Sequence, residues 1–161
     1  MKDQELRQEL TNLLVVRQAH MGFEDAVDNF PEEHINSEPP NCEYTFWHLI
    51  EHLRLTQRDI LEYITADDYQ WPESFGMMWP DRAATCDLAG WKKSIEAFLQ
   101  DRQELLDILN NPETDLFAPL LNSGPHQHHI LREILVIASH NAYHTGELGI
   151  LRQVVNNWVT K

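Results

Sequence analysis

The sequence predicts an all-α protein, a four-helix bundle with long connections, and two observations carry that prediction. Apolar residues recur at three- and four-residue intervals in four separate stretches, and no stretch alternates polar and apolar as a half-buried strand would. Proline, glycine, asparagine and aspartate gather between those stretches, where they mark the connections. The chain has 161 residues, 42% of them hydrophobic. That is enough for one well-buried core, so a single domain over residues 1–161 is expected.

From Asp3 to about Asp28 the residues Leu6, Leu10, Leu13, Leu14, Met21, Phe23 and Val27 trace an amphipathic first helix. His20 stands alone in it and is given no role. Three prolines and several turn formers make Phe30–Tyr44 a connection, with Thr45 as the N-cap of the next helix. That second helix, about Thr45–Ile64, carries Phe46, Leu49, Ile50, Leu53, Ile60, Leu61 and Ile64 on one stripe, and it holds both His48 and His52. At about 100° per residue, His52 falls nearer the stripe, while His48 falls almost opposite its centre and is expected to be exposed.

Residues Ala66–Gly90 set Tyr69, Trp71, Phe75, Met77, Met78 and Trp79 among proline, glycine and aspartate without a sustained period. Such a segment can roof a pocket, cover an edge of the bundle or form a subunit contact, and periodicity does not choose among these. Asp87 caps a third helix, about Leu88–Leu109, which Asn110, Asn111 and Pro112 stop. His126, His128 and His129 close the next connection in a polar turn, where surface histidines are ordinary. A fourth helix then runs to about Val155, and Trp158 in the tail is expected to pack back on the bundle.

Charge and composition remove several classes of function. The net charge is −14, and the 12 lysines and arginines are scattered, so no basic stripe exists to neutralise phosphates and nucleic acid is not an expected partner. Cys42 and Cys86 lack the spacing of a disulfide framework or a thiolate zinc site, and neither stands in a nucleophile motif. The N-terminal MKDQELRQEL is charged where a signal peptide is apolar, and no run approaches the roughly 20 apolar residues of a membrane span. A soluble, cytoplasmic protein is expected. No Ser-His-Asp arrangement or glycine-rich phosphate loop is evident.

The chemistry concentrates in the fourth helix, where LREILVIASHNAYHTGELGIL (131–151) spaces His140 and His144 by one turn. Two imidazoles on one helix face can grip one metal ion, although an apolar helix also carries histidines for packing alone. In a bundle, sites are built from facing helices, so the second and fourth helices can supply His52, His140 and His144 together. Three neutral imidazoles suit a divalent first-row ion, zinc or nickel, and leave a position open to water or substrate.

The segments EYTFWHLIEHLRLTQRDILEYI (43–64) and HILREILVIASHNAYHTGEL (129–148) resemble the DinB/YfiT-like superfamily. The resemblance implies a four-helix bundle, a ligand histidine at His52, a ligand pair at His140 and His144, and no ligand at His48. It also implies a homodimer, a suggestion that the aromatic 66–90 segment shares. The superfamily's second histidine is usually followed by Gly-Gln, whereas this chain has Gly146-Glu147. Glu147 can orient an imidazole, add charge near the metal or carry a proton; it can also be an exposed helix residue. Characterised relatives transfer or use low-molecular-weight thiols, so the implied activity is a metal-dependent S-transferase acting on a small thiol and an electrophile. A metal-dependent hydrolase and a non-catalytic metal-binding or dimerising bundle are the alternatives.

Overall fold

The computed structural model describes residues 2–158. Its α-helices are α1 (Lys2–Val15), α2 (Phe23–Val27), α3 (Phe46–Thr65), α4 (Leu88–Asn110) and α5 (Ile130–Val154), and there is no strand among the described residues. The first predicted helix is therefore two helices. Between Val16 and Met21 the chain reads Arg-Gln-Ala-His, with no large apolar side chain to bury, so the helical stripe loses its reason to continue and the chain turns at Gly22 into α2. Met1 and residues 159–161, the ends of the expected domain, lie outside the described residues.

Side-chain pairing gives the direction of each long helix. Along α3 and α4 the partners climb together: Ser94 meets Trp47 and Glu51, Gln57 donates to the Phe98 carbonyl (2.6 Å), and Arg58 reaches Asp101 (3.3 Å). These two helices run parallel. Between α3 and α5 the order reverses, because Gln57 accepts from Asn141 while Tyr63 meets His128, which precedes α5. Likewise Arg7 donates to the Leu109 carbonyl and Arg102 to the Leu14 carbonyl, so α1 and α4 are antiparallel. Each of α1 and α3 packs on both α4 and α5. The four long helices thus form a bundle in which α1 and α5 run one way and α3 and α4 the other.

A parallel α3–α4 pair requires the intervening chain to return the full length of α3. Residues 66–87 do so in contact with the helix: Tyr69 bonds Asp59, the Met78 carbonyl meets His52, and the Ala84 carbonyl meets His48. The apolar core lies in two clusters above and below mid-height. One gathers Phe46, Leu49, Leu53, Trp91, Phe98 and Leu148; the other gathers Leu10, Leu61, Leu105, Leu109, Ile134 and Ile137. Gln57, fully buried, bridges α4 and α5 by donating to the Phe98 carbonyl and accepting from Asn141, so both ends of its own amide are partnered in the middle of the bundle. At the C-terminal end of α5, buried Arg152 donates to the carbonyls of Ala26 and Asp28 and stacks under Trp158, which seats the tail as expected.

The caps expected from sequence are present. Asp87 accepts from Gly90 N at 2.8 Å, and Thr45 accepts from His48 N at 3.2 Å. His48 departs from expectation, because it is buried (2% exposed) rather than exposed. Helix phase placed it opposite the apolar stripe correctly, but the returning chain covers that face of α3. Its Nδ1 accepts from Thr45 N (3.2 Å) to complete a capping box, and its Nε2 donates to the Ala84 carbonyl (2.8 Å). Replacing His48 by alanine leaves a buried carbonyl and the helix start unpartnered, so His48→Ala should destabilise the fold by roughly 1–3 kcal/mol. Thr45→Ala should cost about 1 kcal/mol. Urea unfolding of the two variants measures both.

Candidate metal centre

His52 projects from α3 one turn beyond His48, and His140 and His144 project from successive turns of the antiparallel α5. Their ring centroids are 4.6–5.0 Å apart, and one ligand nitrogen from each lies within 4.8 Å of the others. The Nε2 atoms of His52 and His140 stand 3.1 Å apart. Nitrogens sharing one tetrahedral ion at about 2.1 Å sit roughly 3.4 Å from each other, so this triad needs only small side-chain adjustments to hold an ion.

Each outer nitrogen decides which inner one is available. His52 Nδ1 donates to the Met78 carbonyl (2.7 Å), which leaves Nε2 with its lone pair toward the triad, and Trp79 stacks flat on the ring at 3.9 Å. His144 Nδ1 bonds Glu147 Oε2 at 2.6 Å, which turns its Nε2 inward. The other carboxylate oxygen of Glu147 accepts from the Tyr44 hydroxyl, and the Tyr44 ring packs on Trp79 at 5.1 Å. His140 Nδ1 is buried without a hydrogen-bond partner among the described residues. Both arms of the triad therefore lean on the same two aromatic side chains.

Electrostatics also suits a cation. Burial lowers the pKa of His52, and burial together with the neighbouring His144 and His52 takes His140 from its usual 6.5 to about 4. These two imidazoles are neutral lone-pair donors near pH 7, the form a metal ion takes. Burial alone raises the Glu147 carboxyl, but hydrogen bonds from His144 and Tyr44 outweigh it and keep the pKa below its ordinary value. Desolvation and the adjacent Glu147 push the Tyr44 hydroxyl the other way, so it stays a donor.

Beside the triad is a cavity of about 410 Å³ between α3, α5 and the returning 66–87 segment, lined by His52, His140, Trp71, Phe75, Met78 and Trp79 among others. The aromatic segment therefore roofs a pocket, one of the three arrangements its sequence allows. Of the other histidines, His128 lines the same cavity away from the triad, where it meets Tyr63; His129 caps α5 by accepting from Arg132 N, and His20 bonds a neighbouring backbone carbonyl. Burial and nearby carboxylates raise the Cys86 thiol to about 11, far from a nucleophile's range. Sequence spacing selects the three converging histidines, but it gives no sign of Tyr44, 103 residues from Glu147, or of the Met78 carbonyl. A tryptophan-rich connection hinted at Trp79 without giving it a partner.

The helix directions and the three converging imidazoles define an all-helical bundle with a candidate divalent-metal centre between α3 and α5. Residues 16–148 match the model of the DinB superfamily, and the chain belongs to that superfamily. Neither the curated proteins nor the solved structures yield a match. No helix among the described residues is long and apolar enough to cross a membrane.

The lowered histidine pKa values link stability to pH. With His140 near 4 in the fold and near 6.5 when unfolded, the unfolded chain binds more protons between those values, so the metal-free protein loses stability as pH falls through that window and regains it above 6.5. His140→Gln removes the titrating group. The difference in urea midpoint between metal-free wild type and His140→Gln should therefore shift against wild type from pH 7 to pH 5; a constant difference would contradict the linkage.

Proposed function

We propose that the protein is a metal-dependent S-transferase, in which His52, His140 and His144 bind one divalent cation, zinc or nickel, and a low-molecular-weight thiol is transferred to an electrophilic substrate. The supporting observation is the convergence of three inward-facing imidazoles, two of which, His52 and His140, line a 410 Å³ cavity. A cation held by three protein ligands keeps a position open and favours the thiolate form of a thiol presented there. The thiol would give up its proton to solvent, and the thiolate sulfur's lone pair would form the bond to the electrophilic carbon as that carbon's leaving group departs with its electron pair. The cavity's aromatic walls hold the organic partners and exclude water, and the Met78 carbonyl and Glu147 keep the imidazoles aimed.

Glu147 is an orienting residue in this reading rather than a proton carrier, because both of its oxygens are committed, one to His144 and one to Tyr44. The domain spans residues 1–161, and a thiol substrate suits a reducing, cytoplasmic setting. A homodimer is also part of the proposal. Leu135, Tyr143 and Ile150 form an exposed apolar row along the outer face of α5, and a side chain on the neighbouring Gly146 would meet nothing within 4 Å of its own chain. Two copies, each with charge −14, could meet there without facing carboxylates, because Glu133 and Glu147 of this helix are both turned inward and paired.

His52→Ala, His140→Ala and His144→Ala should each lose most bound metal, while His48→Ala, His128→Ala and His129→Ala retain it, as measured by elemental analysis of tag-free protein. Metal retention by the His52 variant with loss in the His48 variant would reassign the ligand by one turn. The metal-loaded protein should then join thiols to electrophiles in a panel that includes esters and amides. Turnover of the esters or amides alone would replace transfer by hydrolysis, and turnover of neither set would leave a binding module. For the dimer, sedimentation at micromolar concentration should give twice the chain mass, and Tyr143→Glu should return it to one.

A further inference from the structure

The cavity beside the triad has a second, differently charged end. On α3, Thr56 and Asp59 follow His52 along one face; on α5, Val136 and Glu133 precede His140 along the facing one. Asp59 and Glu133 each lie seven residues from a triad histidine, two helical turns or about 10 Å along the axis. Because α3 and α5 are antiparallel, both carboxylates reach the same end of the cavity.

Their surroundings leave negative charge uncompensated. Arg132 is the permanent cation on that wall, and Glu133 already holds it at 2.6 Å, with the His128 ring 3.6 Å from the same carboxylate oxygen. Glu133 is nonetheless buried, with 4% of its side chain exposed. Asp59 has no cationic partner among the described residues: its Oδ1 accepts from the Tyr69 hydroxyl at 2.8 Å, and burial with the charges of Glu62 and Glu133 raises its pKa in spite of that bond. The rings of Tyr63, Tyr69 and Trp71 pack on one another at 4.9–5.6 Å around this end and supply negative faces to a cation. The walls between the two ends are apolar, with Ile60, Met78, Trp79 and Val136.

We propose that the cavity takes an organic amine, with its apolar body against Trp79, Met78 and Val136 and its ammonium seated at Asp59 and Glu133, about two helical turns from the triad. The proposal names the substrate class for the proposed transferase site and so rests on that reading. The ammonium supplies the positive charge that Asp59 lacks, and the aromatic faces add to its binding. An anionic substrate end would meet two carboxylates and one arginine that is already paired. A neutral polar end would gain only an ordinary hydrogen bond.

Calorimetric titration of the full chain with 4-phenylbutylamine, 4-phenylbutanol and 4-phenylbutyrate separates these cases. The amine should bind at least about tenfold more tightly than the alcohol, and the carboxylate more weakly than either. Equal affinities, a preference for the carboxylate, or no binding of any of the three would overturn the proposal. Asp59→Asn should bring the amine to the affinity of the alcohol while leaving the alcohol unchanged, and Glu133→Gln gives the same reading should the first variant fold poorly. An amine preference that survives both substitutions would also overturn it. The titration is run on metal-free and zinc-loaded protein, so failure of metal binding and failure of the amine site are seen separately.

Discussion

Because α3 and α4 run in the same direction, residues 66–87 must travel back along α3, and most of the functional architecture depends on that return. A tight turn would have placed an antiparallel helix beside α3 and left the outer rim of His52 to solvent. Instead the returning backbone brings the Met78 carbonyl to His52 Nδ1 and the Trp79 indole onto its ring. The same segment supplies Tyr69 and Trp71 to the far end of the cavity. A topological requirement of the bundle thereby becomes the roof of its pocket.

His48 and His52 show how little separates a structural histidine from a candidate ligand. Both sit on α3, one turn apart, both are buried, and each hydrogen-bonds a carbonyl of the returning segment. His48 gives that bond through Nε2 and spends Nδ1 on the helix cap, so no lone pair remains. His52 gives it through Nδ1, and its Nε2 is left toward α5. Burial alone would not distinguish them; the nitrogen each commits does.

This division explains what could be read from the sequence. The helices were legible because each must bury a stripe at a 3.6-residue period, and Thr45 and Asp87 were legible because a helix start needs side-chain acceptors. The His140–His144 spacing, with His52 on the second stripe, picks out the three residues that converge. Where the sequence misled, the cause was tertiary. His48 looked exposed because phase reports only the helix's own face and not a connection that covers it. The break in the first helix has only a faint mark in the sequence, a gap in large apolar residues between Val16 and Met21. Tyr44 could not be anticipated, since its partner Glu147 meets it only once α5 has docked.

Glu147 changes the character of the centre more than its position. A carboxylate hydrogen-bonded to His144 makes that imidazole a stronger donor than an amide would, and it adds a negative charge beside the three rings. A divalent cation held there would be bound more firmly and would be a somewhat weaker Lewis acid. That balance suits a soft nucleophile better than water: a thiol ionises with modest help because its pKa starts near about 8.5, whereas water needs a far larger shift. Tyr44 would keep the carboxylate from moving to a bound ion, because its hydroxyl ties the second oxygen to the aromatic layer that also covers His52. Holding Glu147 away from a bound cation would preserve an open position, and an open position is what separates a centre that can turn substrate over from one that only binds metal.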